Sequence, residues 1–460
     1  MLITTWRWRA LQALPFLVFL VVYLPAVGHG FIQDDYRWIV ESRASGWLDL
    51  LKVFHLDNGF YRPVVGLTFA INEWMFRTSP LGYGLTNVAL TLACGVAIFH
   101  LARAIGLSRG AALFVAAAWL LNVHGIRMAV QWISGRTALL LTLASVMGSA
   151  AVIRRRPVAA LAWLAMALFS KEEAVVLPVL WGVWLLVDGQ FRDNRRGATL
   201  LLAATAGVAL FYLWMRASTH AMLPASAPAF YRFTFSPAAV FQNLVSYLDR
   251  AATLPLVAVT IATAVLGHLA SPASALIRRA LVLGVSWTVA GFLLTLFLPV
   301  RSDLYACFPS VGVCLIAGAL AEGAWTRASE RARGRALVGA VLACVAMTAV
   351  LGSRTERWDS IATLGESVMQ DLVRETAGLA EGASIVLVDD RGQRANIDAA
   401  FGTLLPIAYE WRARKRMTLW VEPPLTNAMA AGLRPPCAGC PVTRFVLKDG
   451  HLLRVPADRR

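Results

Sequence analysis

The chain has 460 residues, of which 58% are hydrophobic and 15% are charged, and its mean hydropathy is +0.61. A soluble globular domain is about half apolar and about a quarter charged, so this composition excludes a soluble globular protein. Basic residues outnumber acidic residues by 43 to 27, but the arginines lie in short gaps between apolar stretches. That distribution is typical of membrane topology, and we expect no nucleic-acid partner.

Eleven apolar stretches follow one another along the chain as candidates to cross a bilayer, which takes about 20 apolar residues per helix. They are residues 10–28, 83–104, 111–124, 137–153, 157–169, 174–188, 198–214, 253–269, 280–298, 305–321 and 336–352. The sequence therefore predicts an all-α polytopic membrane protein with about 11 transmembrane helices.

The arginine clusters predict the orientation of the chain in the membrane. Clusters such as residues 154–156, 192–196 and 327–335 all fall on one side if the amino terminus is cytoplasmic, and positive residues accumulate in cytoplasmic loops. An odd number of spans then leaves the carboxyl terminus outside. We therefore expect a multi-pass protein of a bacterial inner membrane, with its amino terminus in the cytoplasm and its carboxyl terminus on the outer face.

Three long polar pieces then lie on the outer face, at residues 29–82, residues 215–252 and the tail. We expect two domains, a transmembrane domain at residues 1–352 and a small soluble α/β domain at residues 353–460. The elements predicted in the tail are strands at 384–388 and 417–421, a helix at 396–414, and a hairpin that turns at Asp449-Gly450.

An acidic pair, Asp34 and Asp35, directly follows the first apolar stretch, where water meets the lipid headgroups. Its position makes the pair a candidate catalytic site. Adjacent acids at a helix start also occur as ordinary solvated residues that favour the helix dipole, so that alternative stays open. The sequence requires no cofactor, although clustered acids would permit a divalent cation such as Mg²⁺ or Mn²⁺.

A second polar gap, between the stretches at 157–169 and 174–188, contains Lys171 and Glu172. Charges beside apolar membrane segments are costly and are therefore candidates for function. The alternative is a short hairpin loop whose charges are simply hydrated.

Two further outer gaps contribute His124 with Arg136 and Arg301 with Tyr305. Arginine in an outer loop runs against the usual charge bias, and a guanidinium is well shaped to bind a phosphate through two hydrogen bonds. A lipid headgroup anchor, or an ion pair with Asp303, is the alternative.

These candidate residues suit a reaction in which a hydroxyl attacks a sugar joined to a lipid phosphate. A carboxylate can take the proton of the hydroxyl, cations can hold the leaving phosphate, and the lipid donor can reach the site from the membrane interface. The chain has no GxGxxG motif and no Walker loop, so a nucleotide-sugar enzyme and an ATP-driven pump find no support. Two other functions stay open. One is a transporter or flippase for lipid-linked sugars, in which charges line a path. The other is a lipid-linked oligosaccharide ligase.

In their order along residues 25–320, these motifs resemble the integral-membrane type C glycosyltransferases, and among them the protein O-mannosyltransferases and transmembrane O-mannosyltransferases. The residues that carry the resemblance are Asp34-Asp35, Tyr61-Arg62-Pro63, Leu67-Thr68-Phe69, Gly82-Tyr83, Thr86-Asn87, His124, Gly135-Arg136, Ser170-Lys171-Glu172, and Tyr305 with Pro309-Ser310-Val311-Gly312.

The resemblance implies that Asp34 is the catalytic base, with Asp35 beside it, and that Lys171 and Arg301 hold the donor phosphate. It implies an inverting, mannosyltransferase-like hexosyltransferase that takes a sugar from a polyprenyl-phosphate donor in the membrane lipid. The acceptor is a hydroxyl on a protein, an envelope lipid or a polysaccharide. The further substrate-binding residues that we expect are Tyr61, Arg62, His124, Arg136, Glu172 and Tyr305.

Of the six cysteines, only Cys437 and Cys440 are candidates for a chemical role, because the other four lie in or beside apolar stretches. On an outer face, where the compartment is oxidising, we expect them to form a disulfide. The spacing also resembles half of a zinc site, but no second pair of ligands completes it. Free thiols or redox exchange remain the alternatives.

Overall fold

Helices make up most of the part of the chain that the structure describes, and one small sheet lies near the carboxyl end. A computed structural model describes residues 2–55, 59–219, 221, 231–266, 274–389, 393, 395–429, 431–437 and 440–456. Its helices are α1 (Leu2–Tyr23), α2 (Asp34–Ser42), α3 (Pro63–Phe76), α4 (Pro80–Ile105), α5 (Arg109–Leu120), α6 (Gly125–Gln131), α7 (Arg136–Ile153), α8 (Pro157–Leu168), α9 (Leu177–Val187), α10 (Gln190–Asp193), α11 (Arg195–Ala217), α12 (Pro237–Leu266), α13 (Ala275–Phe292), α14 (Ser310–Arg327), α15 (Glu330–Glu375), α16 (Ile397–Phe401) and α17 (Leu405–Ala413). Its strands are β1 (Ser384–Val388), β2 (Thr418–Glu422), β3 (Val442–Lys448) and β4 (His451–Arg454).

Proline and glycine mark several helix boundaries. The helices α3, α4 and α8 begin at Pro63, Pro80 and Pro157, because the first turn of a helix does not need the missing proline N–H. α4 ends at Gly106, whose φ of 110° is a left-handed conformation that glycine adopts without a side-chain clash. These residues separate the apolar stretches and so create the short polar gaps seen in the sequence.

Five described helices are long and apolar enough to cross a membrane, or six if α5 and α6, which bend by 62°, form one broken span. Each of the eleven predicted stretches overlaps a described helix. Some of these helices, such as α8 with 12 residues and α9 with 11 residues, are shorter than the ~20 residues of a straight span. The apolar helices agree with a polytopic membrane protein, and the count of eleven stays a prediction.

α15 has 46 residues and is the longest helix in the described ranges. At about 1.5 Å per residue it extends about 69 Å, more than twice the ~30 Å thickness of a hydrocarbon core. It runs unbroken through residue 352, where we divided the chain. Its end packs on the tail, where Ile361, Val368 and Leu372 are buried. The division into two domains stays a prediction.

The tail contains a four-stranded sheet in the order β2-β1-β3-β4. β1 pairs in parallel with β2 and with β3, and β4 pairs antiparallel with β3. α16 and α17 connect β1 to β2, since parallel neighbours need a crossover. The predicted strands, the helical region between them and the final hairpin are therefore present.

One hydrophobic core contains side chains from the loop at residues 29–82 and side chains from the tail. Phe31 packs edge to face on Trp411 with ring centroids 5.4 Å apart, and Tyr36 stacks on Phe401 at 5.5 Å. All four side chains are buried, and aromatic pairs contribute about 0.5–1.5 kcal/mol each beyond the area they bury. α2, which begins at Asp34, is thereby held by residues from the far end of the chain.

Candidate active site

The two acids at the start of α2 differ in their exposure to solvent and in their hydrogen bonds. Asp35 is buried, and its carboxylate accepts hydrogen bonds from the N–H of Ile32 (2.9 Å), the N–H of Ser134 (2.7 Å) and the Ser134 hydroxyl (2.5 Å). Asp34 is exposed and has no hydrogen bond or ion pair among the described residues. Asp35 is thus suited to positioning the loop, and Asp34 to chemistry.

The backbone in front of Asp34 is strained and is held by the tail. Gln33 has a φ of 43°, and a sparsely populated conformation of this kind costs a residue with a side chain of order 1–3 kcal/mol. Its N–H donates to the carbonyl of Ala400 (2.8 Å), and its side-chain amide donates to the carbonyl of Ala399 (3.0 Å). Such strain clusters at functional sites.

Loss of hydration governs the acid–base behaviour of both acids. Burial raises the pKa of Asp35 to about 7, although the hydrogen bonds from Ser134 lower that pKa and the charge of Asp34 raises it. The carboxyl group of Asp34 is accessible to solvent, but the protein atoms around it displace part of its hydration and raise its pKa. The guanidinium groups of Arg37 and Arg62 partly oppose this rise. Asp34 therefore holds a proton more readily than an ordinary aspartate, which suits a group that must accept one.

Arg62 and Glu172 form a bidentate ion pair near Asp34. Arg62 Nε lies 2.9 Å from Glu172 Oε2, and Nη2 lies 2.6 Å from Oε1. The guanidinium also lies 4.1 Å from the centroid of the Phe60 ring. Burial raises the pKa of Glu172, but the charge of Arg62 outweighs burial and lowers it to about 2. Both partners are therefore charged at neutral pH.

Lys171 and Glu173 form a second ion pair, which is buried. Lys171 Nζ lies 2.6 Å from Glu173 Oε1, and the exposed fractions of the two side chains are 4% and 9%. The same Nζ lies 5.0 Å from the centroid of the Tyr305 ring. Glu173 Oε2 is buried and has no hydrogen-bond partner in the described part of the chain. Removing one member of such a pair is expected to be costly.

Two predicted tyrosines border these ion pairs. The ring of Tyr305 lies beside Lys171 Nζ and stands edge to face on Tyr247, with ring centroids 6.3 Å apart. Tyr61 is buried against Phe169 and Tyr212, with ring centroids 6.0 and 5.9 Å apart. The structure therefore brings together the predicted residues Asp34, Asp35, Tyr61, Arg62, Lys171, Glu172 and Tyr305.

Arg136 lies in the corner between α3, α4 and α7, two residues after the Ser134 that bonds Asp35, and it is close enough to Asp35 to interact with its charge. It is fully buried, and its guanidinium donates to the side-chain oxygens of Asn72 (2.7 Å) and Asn87 (3.1 Å) and to the carbonyl of Tyr83 (3.1 Å). The ring of Phe69 lies 4.2 Å away. Because all three of its nitrogen atoms are occupied, the predicted contact between Arg136 and substrate finds no support, and Arg136 holds the helices together instead.

Asp303 organises a separate charged cluster. Its carboxylate lies 3.1 Å from Arg127, 3.0 Å from Arg250 and 4.0 Å from Nδ1 of His124. Arg301 instead lies on the surface, 3.5 Å from a glutamine side chain. The alternative ion pair between Arg301 and Asp303 is not formed. Neither His124 nor Arg301 contacts the two ion pairs described above.

An apolar groove of about 420 Å³ lies between α8 and α11. Its lining includes Phe169 and Tyr212, the two rings that pack on Tyr61. Sequence reasoning missed this groove. The signal available was the small residues of α11, Ala204 and Gly207, which leave room beside α8.

Arg216, in the last turn of α11, was also missed. After Arg62, the charge of Arg216 is the next to lower the pKa of Glu172, so its guanidinium lies near that carboxylate group. An arginine in the last turn of an apolar helix usually extends to the membrane interface and has no other role, so Arg216 gave no signal in the sequence. Arg216 belongs to this site because it lies near Glu172, which is distant in the sequence.

Within the described ranges, no three histidine, cysteine or acidic side chains are grouped so as to hold a metal ion. A divalent cation at Asp34 and Asp35 therefore stays a prediction.

Comparisons with known proteins bear on the predicted resemblance. Over 202 residues the chain is 26% identical to a protein O-mannosyl-transferase of Caenorhabditis elegans, and the match spans 40% of this chain and 29% of that protein. The structure matches ArnT from Cupriavidus metallidurans bound to undecaprenyl phosphate, with a TM-score of 0.53 and 14% identity over 95% of this chain and 93% of ArnT. It also aligns with the Archaeoglobus fulgidus oligosaccharyltransferase, with a TM-score of 0.48 and 13% identity over 89% of this chain and 64% of that one. No family model matches.

The resemblance to the type C membrane glycosyltransferases is thus confirmed at the level of the fold. At 14% identity, the match to ArnT shows a shared fold and not a shared substrate.

Proposed function

We propose that the chain is a membrane glycosyltransferase that moves a sugar from a polyprenyl-phosphate donor to an acceptor hydroxyl on the outer face of the membrane. The observation that carries the proposal is the convergence of an unpartnered carboxylate, a group of cations and an apolar groove. A polyprenyl phosphate has an apolar tail and an anionic head, so the groove and the cations match its two halves.

The groove between α8 and α11 suits the prenyl tail of the donor. Only 28% of the most apolar segment of α11 is buried inside the protein. A lipid chain can therefore enter the groove sideways from the bilayer. Phe169 lines the groove and precedes Lys171 by two residues in the sequence. A prenyl tail in the groove would therefore place its phosphate near the cations. The ArnT structure was solved with a lipid of this class, undecaprenyl phosphate.

The cations can bind a phosphate without leaving their carboxylate partners. Arg62 uses Nε and Nη2 for Glu172, and Nη1 remains available. Lys171 has three N–H donors, and Glu173 takes one of them. With Arg216, the three cations exceed the two glutamates by one charge, which complements the charge of a leaving phosphate.

In the proposed inverting reaction, the Asp34 carboxylate takes the proton of the acceptor hydroxyl. The hydroxyl oxygen forms a bond to the anomeric carbon of the sugar as the bond from that carbon to the phosphate oxygen breaks. The polyprenyl phosphate leaves with the electron pair, and Lys171 and Arg62 stabilise its charge. Asp35 and Ser134 keep Asp34 in place and do not themselves react.

Finer assignments are part of the same proposal. The partial match to an O-mannosyl-transferase supports a mannosyltransferase-like transfer, to a hydroxyl of a protein, an envelope lipid or a polysaccharide. Arg301, which is on the surface, and His124 are proposed to contact substrate when it binds. We also propose eleven spans in a bacterial inner membrane, a cytoplasmic amino terminus and an outer-face domain at residues 353–460, which the arginine clusters support.

The experiment that tests this function offers membranes containing the chain a panel of polyprenyl-phosphate monosaccharides with labelled sugars. We expect label from at least one donor to appear in a protein, lipid or polysaccharide fraction, and membranes with Asp34→Asn to lack it. If labelled donor crosses the bilayer while no label is transferred, the chain is a flippase and the proposal fails. Transfer only from oligosaccharide donors would instead identify a ligase.

The proposed orientation predicts the state of Cys437 and Cys440. The structure pairs them, with Cα atoms 5.4 Å apart, a separation that a disulfide accommodates. A membrane-impermeant maleimide should label the chain in spheroplasts only after reduction, because the pair would face an oxidising compartment. Labelling should be lost in Cys437→Ser/Cys440→Ser, since Cys94, Cys307 and Cys314 are buried and Cys344 lies within the proposed span at 336–352, out of reach of an impermeant reagent.

Two outcomes contradict this prediction in different ways. Full labelling before reduction would show free thiols and remove the disulfide. An absence of labelling even after reduction, in spheroplasts whose permeabilised counterparts are labelled, would put the tail on the cytoplasmic side.

A further inference from the structure

A cleft of about 420 Å³ lies between α2 and α17 and is distinct from the groove of the donor. The helix that carries the acidic pair forms one wall. α17 and the residues that follow it form the other wall. Apolar side chains at Val40, Ile407 and Trp411 line the cleft together with charged side chains. The mechanism proposed above gives this cleft no role.

Basic residues outnumber acidic ones in the cleft. The cations are Arg37, Arg43, Arg414, Lys415 and Arg416, and the carboxylates are Glu41, Glu381 and Glu410. Two of these cations pair with carboxylates of the cleft, in the pairs Arg37–Glu41 and Arg416–Glu410, both at 2.8 Å. Arg43 pairs outside the lining, with Glu73 at 3.3 Å.

Arg414 and Lys415 are the cations of this lining without a carboxylate partner among the described residues. Lys415 donates to backbone carbonyls of Ala377 and Leu379. Arg414 directly follows α17 with a φ of 55°, in the left-handed region where a helix usually has glycine and where a residue with a side chain is strained. The chain thus carries a guanidinium into the cleft at a position that favours glycine.

The cleft adjoins the proposed catalytic base through Arg37. Arg37 follows Asp34 by three residues on α2, so the two side chains lie on one face of the helix, within one turn of about 5 Å. Arg37 both lines the cleft and lowers the pKa of Asp34. Arg37 therefore connects the cleft to the surroundings of the Asp34 carboxylate.

We infer that this cleft binds an anionic group, a phosphate or a carboxylate, of the acceptor, and so presents a nearby acceptor hydroxyl to Asp34. The inference rests on the proposed function for the role of Asp34, but the binding of an anion does not depend on it. Four of the five residues from Arg412 to Arg416 are basic. On the proposed outer face, that cluster runs against the usual distribution of charge, as expected for a functional one.

The test uses the purified full-length chain in detergent and isothermal titration calorimetry with three soluble probes. Glycerol phosphate carries a phosphate, glucuronate carries a carboxylate, and glucose is neutral. We expect one or both anionic probes to bind and glucose not to bind. Arg414→Glu/Lys415→Glu should weaken anion binding at least about tenfold, the change expected for losing about 1.4 kcal/mol. Lys448→Glu/Arg454→Glu, which makes the same charge change on β3 and β4 away from the cleft, should leave it unchanged.

Arg414→Gln/Lys415→Gln serves as a milder variant if the charge reversal lowers the amount of folded protein. Absence of binding by both anionic probes, or equal binding by wild type and the cleft variants, would overturn the inference. Asp34→Asn should keep anion binding while losing transfer. If Asp34→Asn instead keeps transfer, the proposed base is wrong although the anion site stands, so the two failures are distinguishable.

Discussion

Asp34→Asn is expected to reduce sugar transfer by about 100- to 10,000-fold, the usual contribution of a general base. The substitution keeps the shape of the side chain and removes its ability to accept a proton. Because Asp34 is exposed and has no partner among the described residues, the variant should fold normally. Single-turnover transfer of labelled sugar, at matched amounts of membrane protein, measures the effect.

Asp35→Asn and Ser134→Ala are the matched controls. The amide of an asparagine at position 35 would face the N–H of Ile32, donor against donor, so we expect lower stability as well as lower transfer. Ser134→Ala removes one hydrogen bond to Asp35, worth about 1 kcal/mol, and should reduce transfer far less than Asp34→Asn. Near-normal transfer in Asp34→Asn together with full loss in Asp35→Asn would exchange the two roles.

The pH dependence of transfer provides a second readout for Asp34. A general base must be ionised, so the rate should fall as the pH drops through the pKa of Asp34. The protein atoms around the solvent-accessible carboxyl group displace part of its hydration and raise that pKa, so the fall should occur above the ~3.9 of an ordinary aspartate. Arg37→Gln removes a charge that lowers the pKa and should move the fall to still higher pH. A profile unchanged in Arg37→Gln would argue against Asp34 as the titrating group.

Lys171→Met is expected to lower both the stability of the protein and its use of donor. The substitution leaves Glu173 buried without its cation, and breaking a buried ion pair in this way costs about 3–5 kcal/mol. It also removes a proposed ligand of the donor phosphate. The thermal unfolding midpoint in detergent reports the first effect, and the apparent KM for the donor reports the second.

The double variant Lys171→Met/Glu173→Gln separates these two effects. It removes both charges of the pair, so stability should recover most of the loss. If Lys171 binds the donor phosphate, donor use should stay impaired despite the recovery. Recovery of both properties would make Lys171 a structural residue only and would contradict its proposed role.

The sequence predicted the acidic pair, and the family resemblance implied that Asp34 is the base. Because Asp34 and Asp35 are adjacent and identical in type, no local pattern gives a physical reason for that assignment. In the structure the two acids differ because Ser134, which lies 99 positions away, bonds only Asp35. A tertiary contact of this range leaves no local signal, so the reason for the proposed division of roles could not be predicted from the residues themselves.

The same limit applies to the charges at Arg136 and Arg62. Both lie in polar segments next to apolar stretches, and the sequence predicted that both bind substrate. The structure buries Arg136 among side chains of α3 and α4, whereas it pairs Arg62 with Glu172, 110 positions away, beside Asp34. Local elements such as the tail strands were predictable because alternating hydrophobic residues and the Asp449-Gly450 turn are short-range signals.

The shared core of the first loop and the tail also sets an order of assembly during synthesis. The loop that carries Asp34 is made before the aromatic residues that hold it, because Phe401 and Trp411 follow Asp34 by 367 and 377 positions. At about 5–20 residues per second, roughly 20–75 s separate the two. A nascent chain therefore has its acidic pair long before that pair is held in place. A chain terminated before the tail would carry the acids of the site without the scaffold that makes them a site.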